Sequence, residues 1–168
     1  MMTTRKIALT LTTLALMTVS SQAAFAASDT GNASATVVGP LAIAENTALS
    51  FGNFAAGTGG TVVIATDGSR TATGDVNLSS ADAGQQATFD VTGTAGYTYA
   101  ITLPAGAATL DDGSGNTMSV NTWVSDPSGT GTLTGGSETL NVGATITVGS
   151  GQTAGTYTGT YTVSVEYN

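Results

Sequence analysis

The 168-residue chain contains no cysteine and no histidine. It can form no disulfide, and it lacks the usual zinc ligands and the side chain most used for proton transfer near neutral pH. Charged residues make up only 8%, against roughly 25% in typical globular domains. Lysine and arginine together number 3, and two of these, Arg5 and Lys6, stand close to the N-terminus. Arg70 is then the only base in the remainder, set against 11 acids. Such a surface cannot neutralise phosphate, so nucleic acid and anionic lipid are excluded as expected partners. Solubility must rest on Thr, Ser, Asn and Gly. A domain of this size still buries roughly 68% of its unfolded surface, enough to hold without cross-links.

The N-terminus reads as an export signal. Arg5 and Lys6 supply the positive region, residues 7–19 form an apolar stretch, and Ala24-Phe25-Ala26 offers small residues at the positions a signal peptidase inspects. The expectation is a signal peptide over residues 1–26 and a mature domain over residues 27–168. The apolar stretch is too short to span a bilayer comfortably, and no second one follows, so membrane insertion is not expected.

Beyond residue 26 the apolar residues recur at every second position, and Gly and Thr are too frequent for helices. The pattern predicts strands over residues 37–43, broken at Gly39-Pro40, around Leu49, Phe51 and Phe54, over residues 61–66, and over residues 71–78 with Val76 and Leu78 inward. Phe89 and Val91 mark another strand. Tyr97, Tyr99, Ile101 and Leu103 mark the next, closed by Pro104, and Met118 and Val120 one more. Leu140, Val142, Ala144, Ile146 and Val148 outline the longest. Many short strands punctuated by Gly and Asp point to an all-β fold, a single antiparallel β-sandwich.

The clearest alternation comes last. Tyr157, Tyr161, Val163, Val165 and Tyr167 share one parity, and Thr156, Thr158, Thr160, Thr162, Ser164 and Glu166 the other. A terminal strand, apolar on one face and with no later segment to pair its edge, invites a strand from elsewhere. That reading favours assembly over catalysis.

Other clusters admit chemical readings. Asp111-Asp112-Gly113-Ser114-Gly115-Asn116 gathers oxygen ligands as calcium loops do, but it lacks the EF-hand spacing and reads as a solvated turn. Glu45, Glu138 and the scattered Asp residues show no spacing that pairs two carboxylates for glycoside hydrolysis. Gly57-Thr58-Gly59-Gly60 lacks the Lys and following helix of a phosphate loop. An enzyme is therefore not expected, and no cofactor is implied. Trp123 breaks the parity of Met118 and Val120. Pointing outward, it would be the best candidate for a ligand contact. An outer-membrane barrel would need strands of about ten residues and aromatic girdles, which a chain with 6% aromatics and short strands does not offer.

Several phrases resemble a family of secreted bacterial proteins called domain of unknown function 4402. They are Ala35-Thr36-Val37-Val38-Gly39-Pro40-Leu41-Ala42-Ile43 with Leu49-Ser50-Phe51-Gly52, then Phe89-Asp90-Val91-Thr92-Gly93, Val142-Gly143-Ala144 and Ala154-Gly155-Thr156-Tyr157-Thr158-Gly159. More distantly, the Leu-x-Phe-Gly phrase and the ending from Gly155 to Tyr167 are similar to spore coat U and chaperone–usher pilin subunits. Those pilins carry a glycine fourteen residues from the C-terminus and a penultimate aromatic residue, matched here by Gly155 and Tyr167. The likeness implies an immunoglobulin-like, pilin-like sandwich lacking its final strand. It implies a groove filled first by a periplasmic chaperone and later by the N-terminal extension of another subunit. The corresponding extension here, residues 27–38, offers only Ala33, Ala35 and Val37 as alternating apolar residues, and the usual pilin disulfide is absent.

The expected role is thus a non-catalytic, exported structural or adhesive surface protein that assembles by β-strand addition. Gly155, Tyr157, Tyr161, Val163, Val165 and Tyr167 would form the assembly strand. Its partners would be other copies of itself, related subunits or a periplasmic chaperone. The competing expectation is a monomeric carbohydrate-binding sandwich using Trp123 or the 111–116 loop.

Overall fold

The computed structural model describes residues 25–168, so the expected signal peptide over residues 1–26, apart from Phe25 and Ala26, lies outside the described residues. Residues 25–36 carry no strand or helix and are exposed. The compact body begins at Val37. It contains β1 (Ala42–Thr47), β2 (Phe54–Ala55), β3 (Gly60–Ile64), β4 (Arg70–Gly74), β5 (Asn77–Leu78) and β6 (Ala87–Thr92). There follow β7 (Thr98–Thr102), β8 (Ala108–Asp111), β9 (Thr117–Asp126), β10 (Thr130–Thr132), β11 (Ser137–Val148) and β12 (Ser164–Tyr167). Every ladder is antiparallel. The fold is an all-β antiparallel sandwich.

β11 is the spine. Leu140, Val142, Ala144, Ile146 and Val148 all point inward and are almost fully buried, as a period of two requires of a strand with one face on the core. One edge of β11 pairs β6 through residues 137–142 and then β3 through residues 144–148. Its other edge pairs β9, which in turn pairs β8. β6 and β3 meet at Gly143, where a β-carbon would run into the Ile64 carbonyl. The resulting seven-stranded sheet therefore has two halves, one built on β1 and β6 and the other on β3 and β4.

A second sheet, ordered β10-β7-β12, faces the first half. Tyr99, Leu133, Val91, Leu140 and Val142 form the core between them. Val62, Ile64, Met118, Val120 and Ile146 form a second core cluster over the other half. No three-stranded sheet covers that cluster among the described residues. It is covered by the irregular segment around Leu49 and Phe51, by the two-residue β2–β5 ladder, and by Tyr157.

Several expected strands are displaced, each for a local reason. The first begins at Ala42 rather than residue 37, because Pro40 has no N–H to give a ladder. The predicted strand over residues 71–78 splits at Gly74, whose φ of 70° turns the chain. Val76 goes in as expected, but Leu78 comes out, 37% exposed. Leu49 and Phe51 lie outside any strand, the nearest pairing being an isolated bridge from Ser50 to Gln85. The terminal alternation is visible in burial along its whole length, with Tyr157, Tyr161, Val163, Val165 and Tyr167 half-buried and the intervening residues exposed. Only Ser164–Tyr167 forms a ladder, however.

Candidate functional site

The C-terminal segment crosses from one sheet to the other. Thr158 exchanges both backbone hydrogen bonds with Asp111 at the end of β8, at 2.8 and 2.9 Å. Six residues later, Ser164 joins β7. Between them, residues 159–163 make no backbone–backbone hydrogen bond among the described residues. β12 pairs β7 on one side, and no described strand pairs its other edge.

Alongside this segment runs a groove over the half of the large sheet that no second sheet covers. Its wider part encloses about 640 Å³ between residues 49–56 and residues 152–157, with Met118 and Ile146 on its floor. A narrower part of about 180 Å³ continues past Val120 and Trp123 to Tyr161. Leu49, Phe51, Leu110 and Tyr157 line both parts, which makes them one continuous trough. Met118 and Ile146 reach its floor but expose little of themselves, 7% and 1%.

Both walls are fixed by hydrogen bonds. On the C-terminal wall, the Tyr157 hydroxyl donates to the Thr153 carbonyl at 2.8 Å and accepts from Gln152 Nε2 at 2.9 Å. Gln152 Nε2 also donates to the Thr117 carbonyl, so the tyrosine is tied to β9. On the opposite wall, Ser50 and Gln85 exchange backbone bonds at 3.0 and 2.8 Å, and the Asn53 N–H donates to the Asp82 carbonyl. Arg70 reaches across from β4 and donates to the carbonyls of Phe51, Asn53 and Ser79.

Trp123 lies at the narrow end, half-buried. Its parity change has a backbone cause. The β9–β11 register shifts between Gly143 and Thr145, and Thr122 sits at φ 51°, so a bulge turns Trp123 to the same face as Met118 and Val120. Its indole stacks on Tyr161 with ring centroids 4.6 Å apart and 30° between planes. Its Nε1–H donates to the Gly106 carbonyl at 3.2 Å. Trp123 therefore does not point outward, the condition on which its candidacy as a ligand contact depends; the ring is part of the trough. The Tyr161 hydroxyl is buried without a partner among the described residues. Burial, then the Glu45 carboxylate, pushes its pKa up to about 12.

The remaining sequence-derived residues fall in two places. Gly155 is exposed on the C-terminal wall. Val163, Val165 and Tyr167 pack instead with Leu41 and Ile43 against the core of the covered half, so the six residues expected as one assembly strand divide between the two halves. The 111–116 segment is the turn of the β8–β9 hairpin. Asp112 Oδ1 accepts from the Ser114 and Asn116 amides and Oδ2 from the Asn116 side chain. That bond from Asn116, first of all, holds the Asp112 carboxyl below its usual pKa. The opposite wall and its Arg70 anchor carry no motif of their own in the sequence. The Leu-x-Phe-Gly phrase is the one signal that points there.

No curated protein and no solved structure matches this chain. The family described as Domain of unknown function (DUF4402) matches residues 41–167, a span that takes in every strand and both walls of the trough, and the chain belongs to that family.

Proposed function

We propose that the protein is a non-catalytic, exported surface component, a pilin-like subunit that assembles by β-strand addition. The observation that carries this reading is the trough beside the C-terminal segment. Its narrow part joins an apolar lining of Leu49, Phe51, Leu110 and Val120 to a wall at residues 159–161 whose backbone groups are unpaired among the described residues. An extended segment laid there would gain main-chain hydrogen bonds along the wall and place alternate side chains onto the floor. It would also pack beside the half of the large sheet that the second sheet does not cover. A saccharide site at Trp123 draws less support, since the indole face is occupied by Tyr161 and its N–H by Gly106.

Other copies of the chain, related subunits or a periplasmic chaperone are the proposed donors. The test is assembly of the mature chain, residues 27–168, run unboiled on SDS gels. The expected result is a ladder that disappears when residues 27–38 are deleted and when Gly159 is replaced by Pro. A strictly monomeric mature chain, with and without cell extract from its host, overturns the reading.

A further inference from the structure

Arg70 is the only base among the described residues, and it is not spent on an acid. Its guanidinium is used as a fork. Nη1 donates to the carbonyls of Phe51 and Asn53 at 3.0 and 3.3 Å, and Nη2 to that of Ser79 at 2.5 Å. These three carbonyls belong to two separate stretches, the trough wall at residues 49–54 and the segment at residues 79–85, whose Asp82 also lines the trough. Neither stretch is held by more than sparse pairing: the Ser50–Gln85 bridge, single bonds from Asn53 to Asp82 and from Ser79 to Asn53, and the two-residue β2–β5 ladder. Gly52, at φ 66°, lies flat against the guanidinium; a β-carbon there would collide with Nη1 and with the Asp82 carbonyl. β4, from which Arg70 extends, is by contrast fully paired to β3.

A wall made of irregular backbone with so few bonds of its own has no ladder to fix its place beside the trough. A charged group that gathers its carbonyls supplies that anchor, because bonds to an ionised donor are about twice as strong as neutral ones. The five donors of a guanidinium, set in one plane, can serve carbonyls on two segments at once; an ammonium cannot match that geometry. We propose that Arg70 is the positioning residue of the trough, fixing the 49–54 wall so that the site is shaped before any strand arrives. This rests on the strand-accepting reading only for its purpose, not for its geometry.

The experiment uses the mature chain with Arg70→Lys, which keeps charge and stem, and Arg70→Met, which keeps stem alone. Amide hydrogen exchange is followed at Ser50, Asn53, Ser79 and Gln85, with Val142 and Ile146 as core controls. In parallel, a fluorescently labelled synthetic peptide of residues 27–38 is titrated as the strand probe. The expected result is exchange faster by roughly 10- to 100-fold at the four wall amides in both variants, with the core controls unchanged. Peptide capture should weaken in step. A lysine variant that exchanges like the wild type overturns the proposal, since a stem that merely packs would be replaced by lysine. Should the methionine variant not fold, exchange in the lysine variant alone decides for or against Arg70. Failure of the wild type to capture the peptide counts against the strand-accepting reading and leaves the exchange measurement to decide the role of Arg70.

Discussion

The Tyr167 hydroxyl donates a hydrogen bond to the Gly39 carbonyl at 3.1 Å, joining residues 128 apart in sequence. The same oxygen accepts from the Thr94 N–H at 2.7 Å. One phenol thus ties the start of the compact body, the turn after β6 and the end of β12 at a single point. Gly93 lets this happen, since a β-carbon there would collide with that hydroxyl.

Tyr167→Phe should therefore cost about 1–2 kcal/mol, the worth of two partly exposed hydrogen bonds. Tyr167→Ser should cost about 3 kcal/mol, because it also removes the ring that meets Tyr97 edge-on at 5.8 Å. Urea unfolding midpoints at constant slope check both. Equal costs for the two variants would mean that the ring contributes nothing beyond its hydroxyl.

Tyr161 behaves in the opposite way. Its hydroxyl is buried and has no partner among the described residues, so Tyr161→Phe should leave stability unchanged or raise it by up to about 1 kcal/mol. The effect should grow in alkali. The folded state holds the hydroxyl's pKa at about 12, above the ordinary value near 10. The unfolded chain then releases this proton first, so stability is full below pH 10 and falls as pH rises toward 12. Burial and the Glu138 hydrogen bond also raise Tyr99, which adds a loss of the same sign. Unfolding of Tyr161→Phe should be less steep in pH over that window than unfolding of the wild type. Parallel curves would contradict this.

These residues show what the sequence could and could not reveal. The alternation from Tyr157 to Tyr167 predicts which side chains turn inward, and the burial of those five residues follows it. It could not show that the ladder stops short, because pairing depends on what lies alongside, and no described strand pairs residues 159–163. Trp123 breaks parity for a reason that a period of two cannot encode, a single bulge at Thr122. Leu78 fails in the same manner, since one left-handed glycine resets which side faces in. Arg70 has no spacing signature. Its isolation as a base is readable, but the three carbonyls it gathers come together only in the fold.

Gly143 is needed for lack of bulk rather than for its torsion. It marks the place where β11 passes from pairing β6 to pairing β3, and a β-carbon would strike the Ile64 carbonyl and the Ala65 backbone. Gly143→Ala should cost about 1–3 kcal/mol, the range for forcing extra volume into a packed interior. The measurement is the thermal midpoint with near-ultraviolet circular dichroism as a check on packing. A neutral substitution would show that the two neighbouring strands can part without cost.

Tyr99 and Glu138 supply the last test. Tyr99 is fully buried on β7, and its hydroxyl donates to Glu138 Oε2 on β11 at 2.8 Å, bridging the two sheets. The same oxygen accepts from the Thr132 N–H on β10 at 2.7 Å. Removing the donor leaves the carboxylate with its remaining amide partner, so Tyr99→Phe should cost only about 1 kcal/mol. Removing the acceptor strands the buried hydroxyl, while the Thr132 amide is exposed and can bond water, so Glu138→Leu should cost about 2 kcal/mol. In the double variant the hydroxyl penalty vanishes, and the combined cost should fall below the sum of the two single costs by about 1 kcal/mol or more. Strict additivity would mean that the hydroxyl and the carboxylate do not couple, and that the sheets are joined by apolar packing alone.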